Sequence, residues 1–172
     1  ILVSIMMVNN EIGAVEPVEE AAKVIKAKNP DTLFHVDAIQ AYGKFRILPK
    51  KMHIDMLSAS GHKIHGPKGT GFLYISEKMK IVPIIYGGGQ QKGMRSGTDN
   101  VPGIAGLGLA SKMVYDHLEE NDKHMRGLRT YLVRELAKMD QVVVHGPQGE
   151  EAAPQIVSAA FVGVRSEVLL HT

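Results

Sequence analysis

The chain has 172 residues, 44% of them apolar and 22% charged, with a formal net charge of +2. That length can bury roughly 70% of the unfolded surface in a real core, and the balance excludes disordered, collagen-like and fibrous classes. Lysine and arginine are scattered with no run longer than Lys50-Lys51, so a pI near 8.8 does not imply a nucleic-acid partner.

The chain opens without a Met in the apolar run Leu2 to Val8, which ends at Asn9-Asn10 and reads as a strand buried on both faces of a parallel sheet. This start lacks the basic flank and cleavage site of a signal peptide, and no apolar run reaches the ~18 residues of a membrane span. A soluble, cytoplasmic protein with no membrane segment is expected. Pro17 starts a helix with Val18, Ala21, Ala22 and Ile25 on one face, Glu19 and Glu20 in its first turn, Lys26 and Lys28 in its last, and Pro30 beyond. A short strand from Leu33 to Val36 delivers Asp37, and another from Met56 to Ala59 delivers Ser60-Gly61-His62-Lys63. The Gly66-Pro67-Lys68-Gly69 turn leads into a strand from Thr70 to Ile75.

Strands alternating with helices argue for an α/β sheet, mainly parallel, with ligands bound outside the carboxyl ends of its strands. The irregular segment from Tyr86 to Asn100, with Gly87-Gly88-Gly89 and Arg95-Ser96-Gly97-Thr98, is long enough to be functional. A helical pattern follows from Val101, with Pro102 in its first turn and Ile104, Leu107, Met113 and Leu118 as apolar positions. The charged cluster Glu119 to Lys123 then marks a candidate domain boundary. A second amphipathic helix carries Met125, Leu128, Leu132, Leu136 and Met139 on one face, and strands are expected at Val142 to Val144 and Ile156 to Phe161. The last residues, from Glu167, read as the first turn of another amphipathic helix, and both ends of the chain are expected to be cuts in a longer protein.

There is no cysteine, which removes disulfides, thiolate metal sites and a cysteine nucleophile from these residues. Lys63 sits in a turn at a strand end, unlike a solvated surface lysine; burial there would lower its pKa and let a neutral amine attack an aldehyde. A plain loop lysine in a glycine-rich turn is the alternative. Asp37 is placed to pair with a heterocyclic cation at the ligand edge, or equally to cap a helix. His62 with His65, or His35 with Asp37, lacks a third ligand, so no metal is expected. Gly61 to Lys68 lacks the Lys-Ser or Lys-Thr of a P-loop.

Four motifs occur together and in order: Val8-Asn9-Asn10-Glu11-Ile12-Gly13; His35-Val36-Asp37-Ala38 with Gln40; Ser60-Gly61-His62-Lys63 with Gly66-Pro67-Lys68-Gly69; and Gly87-Gly88-Gly89-Gln90 leading to Arg95-Ser96-Gly97-Thr98. In this set the chain resembles the cysteine desulfurases of iron–sulfur cluster assembly, members of the class V aminotransferase family, most strongly from Ile1 to about Gly108. The resemblance implies the aspartate-aminotransferase fold, with residues 1–118 in a large α/β domain and 119–172 beginning a smaller α+β domain. It implies pyridoxal 5'-phosphate (PLP) as cofactor, bonded to Lys63, with Asp37 on the pyridine nitrogen and Gln40 on the phenolic oxygen. Ser60 and His62 would bind the phosphate, His62 also serving catalysis. Asn10 would lie beside the cofactor and the substrate carboxylate, and Thr98 would reach the phosphate of the other subunit in a homodimer. The implied reaction converts L-cysteine to L-alanine and hands sulfur to an iron–sulfur scaffold or another acceptor.

The family's cysteine nucleophile and substrate-binding arginine would fall after Thr172, and its ring-stacking histidine before Ile1. The 172 residues alone are therefore expected to lack desulfurase activity, to hold PLP weakly and to self-associate. Another class V enzyme, such as an aminotransferase or a selenocysteine lyase, would share the cofactor cradle. A non-catalytic phosphate-binding module is the alternative from a different class.

Overall fold

The computed structural model describes residues 1–171. Its first part is a four-stranded sheet of β1 (Leu2–Met6), β2 (Leu33–Asp37), β3 (Met56–Ser60) and β4 (Gly71–Ile75), in that spatial order. β1, β2 and β3 run parallel, whereas β4 returns antiparallel to β3. Register sets Met6 opposite Asp37, Asp37 opposite Ser58, and Ser60 opposite Gly71. The helix α1 (Val18–Lys28) makes the crossover from β1 to β2. Its apolar stripe is buried at Val18 and Ala22, its acidic first turn and basic last turn complement the helix dipole, and Lys26 pairs with Asp55 at 2.5 Å.

Alternation along the strands gives the sheet two unlike faces. Phe34, Val36, Leu57 and Ala59 point into the core beside Met7, Val8, Val18 and Ala22. The opposite face carries Ser4, Met6, His35, Asp37, Ser58 and Ser60, all half-buried or exposed. β1 therefore departs from the strand buried on both faces that its apolar run predicts: Leu2 is 54% exposed and Met6 39%. One face of β1 packs on the core and the other is uncovered.

The helical region divides into α2 (Val101–Asp116) and α3 (Leu118–Leu136), separated by His117 alone. The cluster Glu119 to Lys123 forms the first turns of α3 instead of a connector between helices. α2 buries Gly103, Leu107 and Ala110, while Ile104 and Met113 of the expected face are exposed. α3 is likewise rotated from its apolar stripe. Leu128 and Leu132 are exposed, Met125 and Leu136 are half-buried and Met139 lies beyond the helix, whereas Arg129 is buried and donates to the carbonyls of Pro147 and Ile156 and to Gln148 Oε1. These irregular-loop carbonyls need donors, and arginine meets that demand where leucine cannot. A two-stranded antiparallel sheet of β5 (Val142–His145) and β6 (Ser158–Phe161), then α4 (Ser166–His171), completes the described chain. Thr172 lies outside the described residues.

Candidate active site

Because β1, β2 and β3 are parallel, their carboxyl ends share one edge of the sheet, the usual ligand edge of an α/β fold. Asn10, Asp37 with Gln40, and Ser60, His62 and Lys63 all follow those three ends. After β3 the chain makes a 3-10 turn, Gly61–Ile64, closed by His65 in the left-handed conformation at φ 62°. The turn is tied down at both sides: the Gly61 amide donates to the Thr70 carbonyl and the Gly66 amide to the Gly61 carbonyl, each at 2.9 Å. A Cβ on Gly61 would stand 2.5 Å from Thr70 Oγ1, so only glycine fits between the two strands. Ile64 is the anchor, buried against Leu107 and Ala110 of α2.

Within this turn Ser60 Oγ and His62 Nδ1 are hydrogen-bonded at 2.7 Å, which presents a hydroxyl and an imidazole together. Lys63 is exposed, contrary to the burial expected of it. Lys44, which sequence reasoning missed, is the half-buried lysine beside it. Lys44 Nζ donates to the Lys63 carbonyl at 2.9 Å, and desolvation first, then the neighbouring Lys63 ammonium, lower its pKa from the ordinary lysine value. Its only sequence-level signal is a lysine directly after Gly43, downstream of Asp37 and Gln40.

Asp37 caps no helix, because β2 is followed by turns and then β3. Its Oδ1 accepts from the Ile39 amide at 2.9 Å, which turns the chain after β2, while its place at the strand end holds the carboxylate at the ligand edge. Gln40 is half-buried, and its carbonyl accepts from Gln155 Nε2 at 2.8 Å. Gln155, also absent from the sequence reading, ties this turn to the loop before β6, and its Oε1 is buried without a partner. Asn10 is exposed in a turn whose shape comes from Asn9, whose Oδ1 accepts from the amides of Glu11 and Ile12 at 2.8 and 3.0 Å.

His35 is bound on both ring nitrogens, to Ser4 Oγ at 2.8 Å and Ser58 Oγ at 3.2 Å, so it bridges three strands instead of meeting Asp37 at an ion. Among the described residues no three His, Asp or Glu side chains are grouped to hold a metal. Thr98 follows the glycine-rich segment that precedes α2. It is exposed on a loop shaped by hydrogen bonds from the Ser96 amide to the Ile85 carbonyl and from the Gly97 amide to Gln90 Oε1.

The fold is the α/β fold of PLP enzymes of the aspartate-aminotransferase type. A solved NifS-like protein superposes with a TM-score of 0.94 at 44% identity, covering 99% of this chain and 46% of that one. DndA from Streptomyces lividans superposes with a TM-score of 0.84 at 39% identity, covering 99% and 48%. The family model described as Aminotransferase class-V matches residues 1–172, and the chain belongs to that family. Its relatives include the cysteine desulfurase IscS of Clostridium botulinum strain Hall, 43% identical over 172 residues, and that of Methanosarcina thermophila, 42% identical over 170. The alignments cover 99% of this chain but 43% and 41% of those relatives, so the chain spans less than half their length. The family's enzymes are PLP-dependent.

Proposed function

We propose that these residues form the cofactor-binding part of a PLP-dependent cysteine desulfurase, which converts L-cysteine and an enzyme thiol to L-alanine and an enzyme persulfide. The observation that carries the reading is the delivery of Asp37, the Ser60–His62 pair and Lys63 to one sheet edge by adjacent parallel strands. The donor set fits the cofactor group by group. The carboxylate of Asp37 suits a protonated ring nitrogen, the Gln40 amide a phenolic oxygen, the paired hydroxyl and imidazole a phosphate, and the Lys63 amine an aldehyde.

Bound there, PLP supplies an electron sink for the bonds at the substrate's α-carbon. Asp37 holds the proton on the ring nitrogen, and Gln40 orients the ring through its phenolic oxygen. Ser60 and His62 fix the phosphate end. Lys63 Nζ would be the amine that meets the aldehyde and the group that moves a proton at the substrate carbon, with His62 assisting from the same turn. Asn10 would lie beside the ring and the substrate carboxylate. The thiolate that takes the sulfur is outside these 172 residues, which contain no cysteine.

The reading extends to a homodimer in which Thr98 reaches the partner's phosphate site, supported by its exposure on a glycine-rich loop. It divides the chain into 1–118, within a large domain, and 119–172, within a smaller one. A cytoplasmic setting and sulfur delivery to an iron–sulfur scaffold or another acceptor protein accord with the IscS relatives, and among the described residues no helix is long and apolar enough to cross a membrane.

The test uses the full-length protein. Borohydride reduction in the presence of PLP should fix the cofactor to Lys63, the Lys63→Ala variant should lose that label, and L-cysteine should yield alanine and sulfide under reductant. A label on another lysine would overturn the site. Amino transfer without sulfide would assign a different class V reaction.

A further inference from the structure

Lys44 is a partly buried amine to which the proposed chemistry gives no task. It lies at the end of two stacked turns that leave β2. The amides of Ala41 and Tyr42 donate to the Ala38 carbonyl at 3.0 and 2.7 Å, and those of Lys44 and Phe45 to the Ala41 carbonyl at 2.9 and 3.0 Å. This segment therefore carries Asp37 and Gln40 at one end and Lys44 at the other.

Gly43 brings the segment against the lysine turn. Its φ is +77°, and a Cβ there would lie 2.7 Å from Ile64 Cγ2 and 2.9 Å from Val114 Cγ2. From α2, the Tyr115 hydroxyl accepts from the Gly43 amide at 3.4 Å and donates to the Phe45 carbonyl at 3.3 Å, which braces the backbone on both sides of Lys44. Tyr42 packs edge-on against both Tyr115 and Phe72, at 5.2 and 5.0 Å between ring centres. So braced, Lys44 directs Nζ to the Lys63 carbonyl at 2.9 Å. The last carbonyls of a helical turn lack partners within it, and a cationic donor meets one with a hydrogen bond stronger than a neutral pair gives.

We propose that Lys44 is a positioning residue for Lys63: its ammonium grips the Lys63 carbonyl from the Asp37–Gln40 segment, and so sets the spacing between the amine that would hold the cofactor aldehyde and the carboxylate that would hold the ring nitrogen. The inference rests on the PLP reading above. The two halves of the cradle come from different strands, and beside the packing of Tyr42 and Gly43 near Ile64, Lys44 adds a polar tie between them outside the sheet. The lowered pKa of Lys44 is consistent with an amine held out of water beside a second cation.

The experiment compares Lys44→Met, Lys44→Gln and Lys44→Arg in the full-length protein. The readouts are the dissociation constant for PLP, the circular dichroism of the cofactor band per mole bound, and thermal melting of the apoprotein. Lys44→Met should weaken PLP binding about tenfold, as expected for loss of a charge-assisted hydrogen bond, and should diminish the cofactor dichroism because the ring is less firmly oriented. Lys44→Arg, which keeps a charged donor, should restore most of both.

Wild-type affinity and dichroism in Lys44→Met would overturn the proposal. If that variant does not fold, Lys44→Gln decides by the same readouts, its shorter neutral stem falling short of the carbonyl. Failure of both to fold would also overturn it, because Lys44 would then be a general structural residue. Borohydride labelling of the wild-type protein separates the two levels: no label on Lys63 refutes the PLP site itself, whereas a Lys63 label with indifferent Lys44 variants refutes this inference alone.

Discussion

Asp37 divides its work between its two carboxylate oxygens, since Oδ1 accepts the Ile39 amide and shapes the turn after β2. Asp37→Asn keeps that acceptor and the side-chain volume while removing the charge. The expected outcome is a folded, PLP-binding full-length protein whose turnover of L-cysteine falls on the order of a hundredfold, the scale of losing one electrostatic stabiliser; steady-state kinetics beside a PLP titration check it. Lys44 gives a second prediction, in stability. Its folded pKa lies below the ordinary value of 10.5, so between the two values the unfolded chain binds more protons and stability rises with pH. This contribution is complete above 10.5 and is lost as pH falls through the folded value. Urea unfolding of wild type and Lys44→Met across alkaline pH should show that slope in the wild type and less of it in the variant. Asp37 and Lys63 could be singled out because each follows a short apolar run inside a recognisable string. Lys44 was not, since Gly43-Lys44-Phe45 reads as a solvated turn until folding sets it beside Lys63. The burial expected at Lys63 is not found, and the neighbouring Lys44 is half-buried.

At the scale of elements, the junction of α2 with the lysine turn is set by the absence of side chains. Gly103, Gly106 and Gly43 each lie where a Cβ would come within 3.0 Å of a neighbour, and Gly106 meets the ring of Pro67. Gly43→Ala should cost about 2–4 kcal/mol, combining the left-handed backbone with intrusion on Ile64 and Val114; denaturant unfolding measures the loss, and PLP affinity should fall with it as Lys44 is displaced. Strand and helix positions were readable from periodicity to within a few residues, because the competing period was absent. The inward faces of α2 and α3 were not. An apolar stripe marks what a helix can bury, but in α3 the loop carbonyls of Pro147 and Ile156 required donors, and Arg129 took the inward place. The antiparallel direction of β4 was also hidden, since Gly66 to Gly69 allows a short return and an apolar run carries no direction.

For the whole molecule, the exposed Thr98 predicts complementation between subunits of the full-length protein. Lys63→Ala and Thr98→Ala homodimers should each be impaired, whereas verified mixed dimers should regain up to about half the activity per dimer, because one of two shared sites pairs an intact Lys63 with an intact Thr98. Activity no higher than in the parent variants would place Thr98 in its own subunit's chemistry or in none. The closed hairpin around Lys63 has a kinetic meaning as well. Gly61 donates across to Thr70 and accepts from Gly66, while Ile64 is pinned beneath α2, so lifting the turn breaks into β3, β4 and the helix contact in one event. Openings of that size belong to the rare, sub-global end of protein fluctuations, whereas the exposed methylenes of Lys63 rotate within picoseconds to nanoseconds. In its proposed role Lys63 would therefore move as a side chain swinging on a fixed turn, without the turn itself opening.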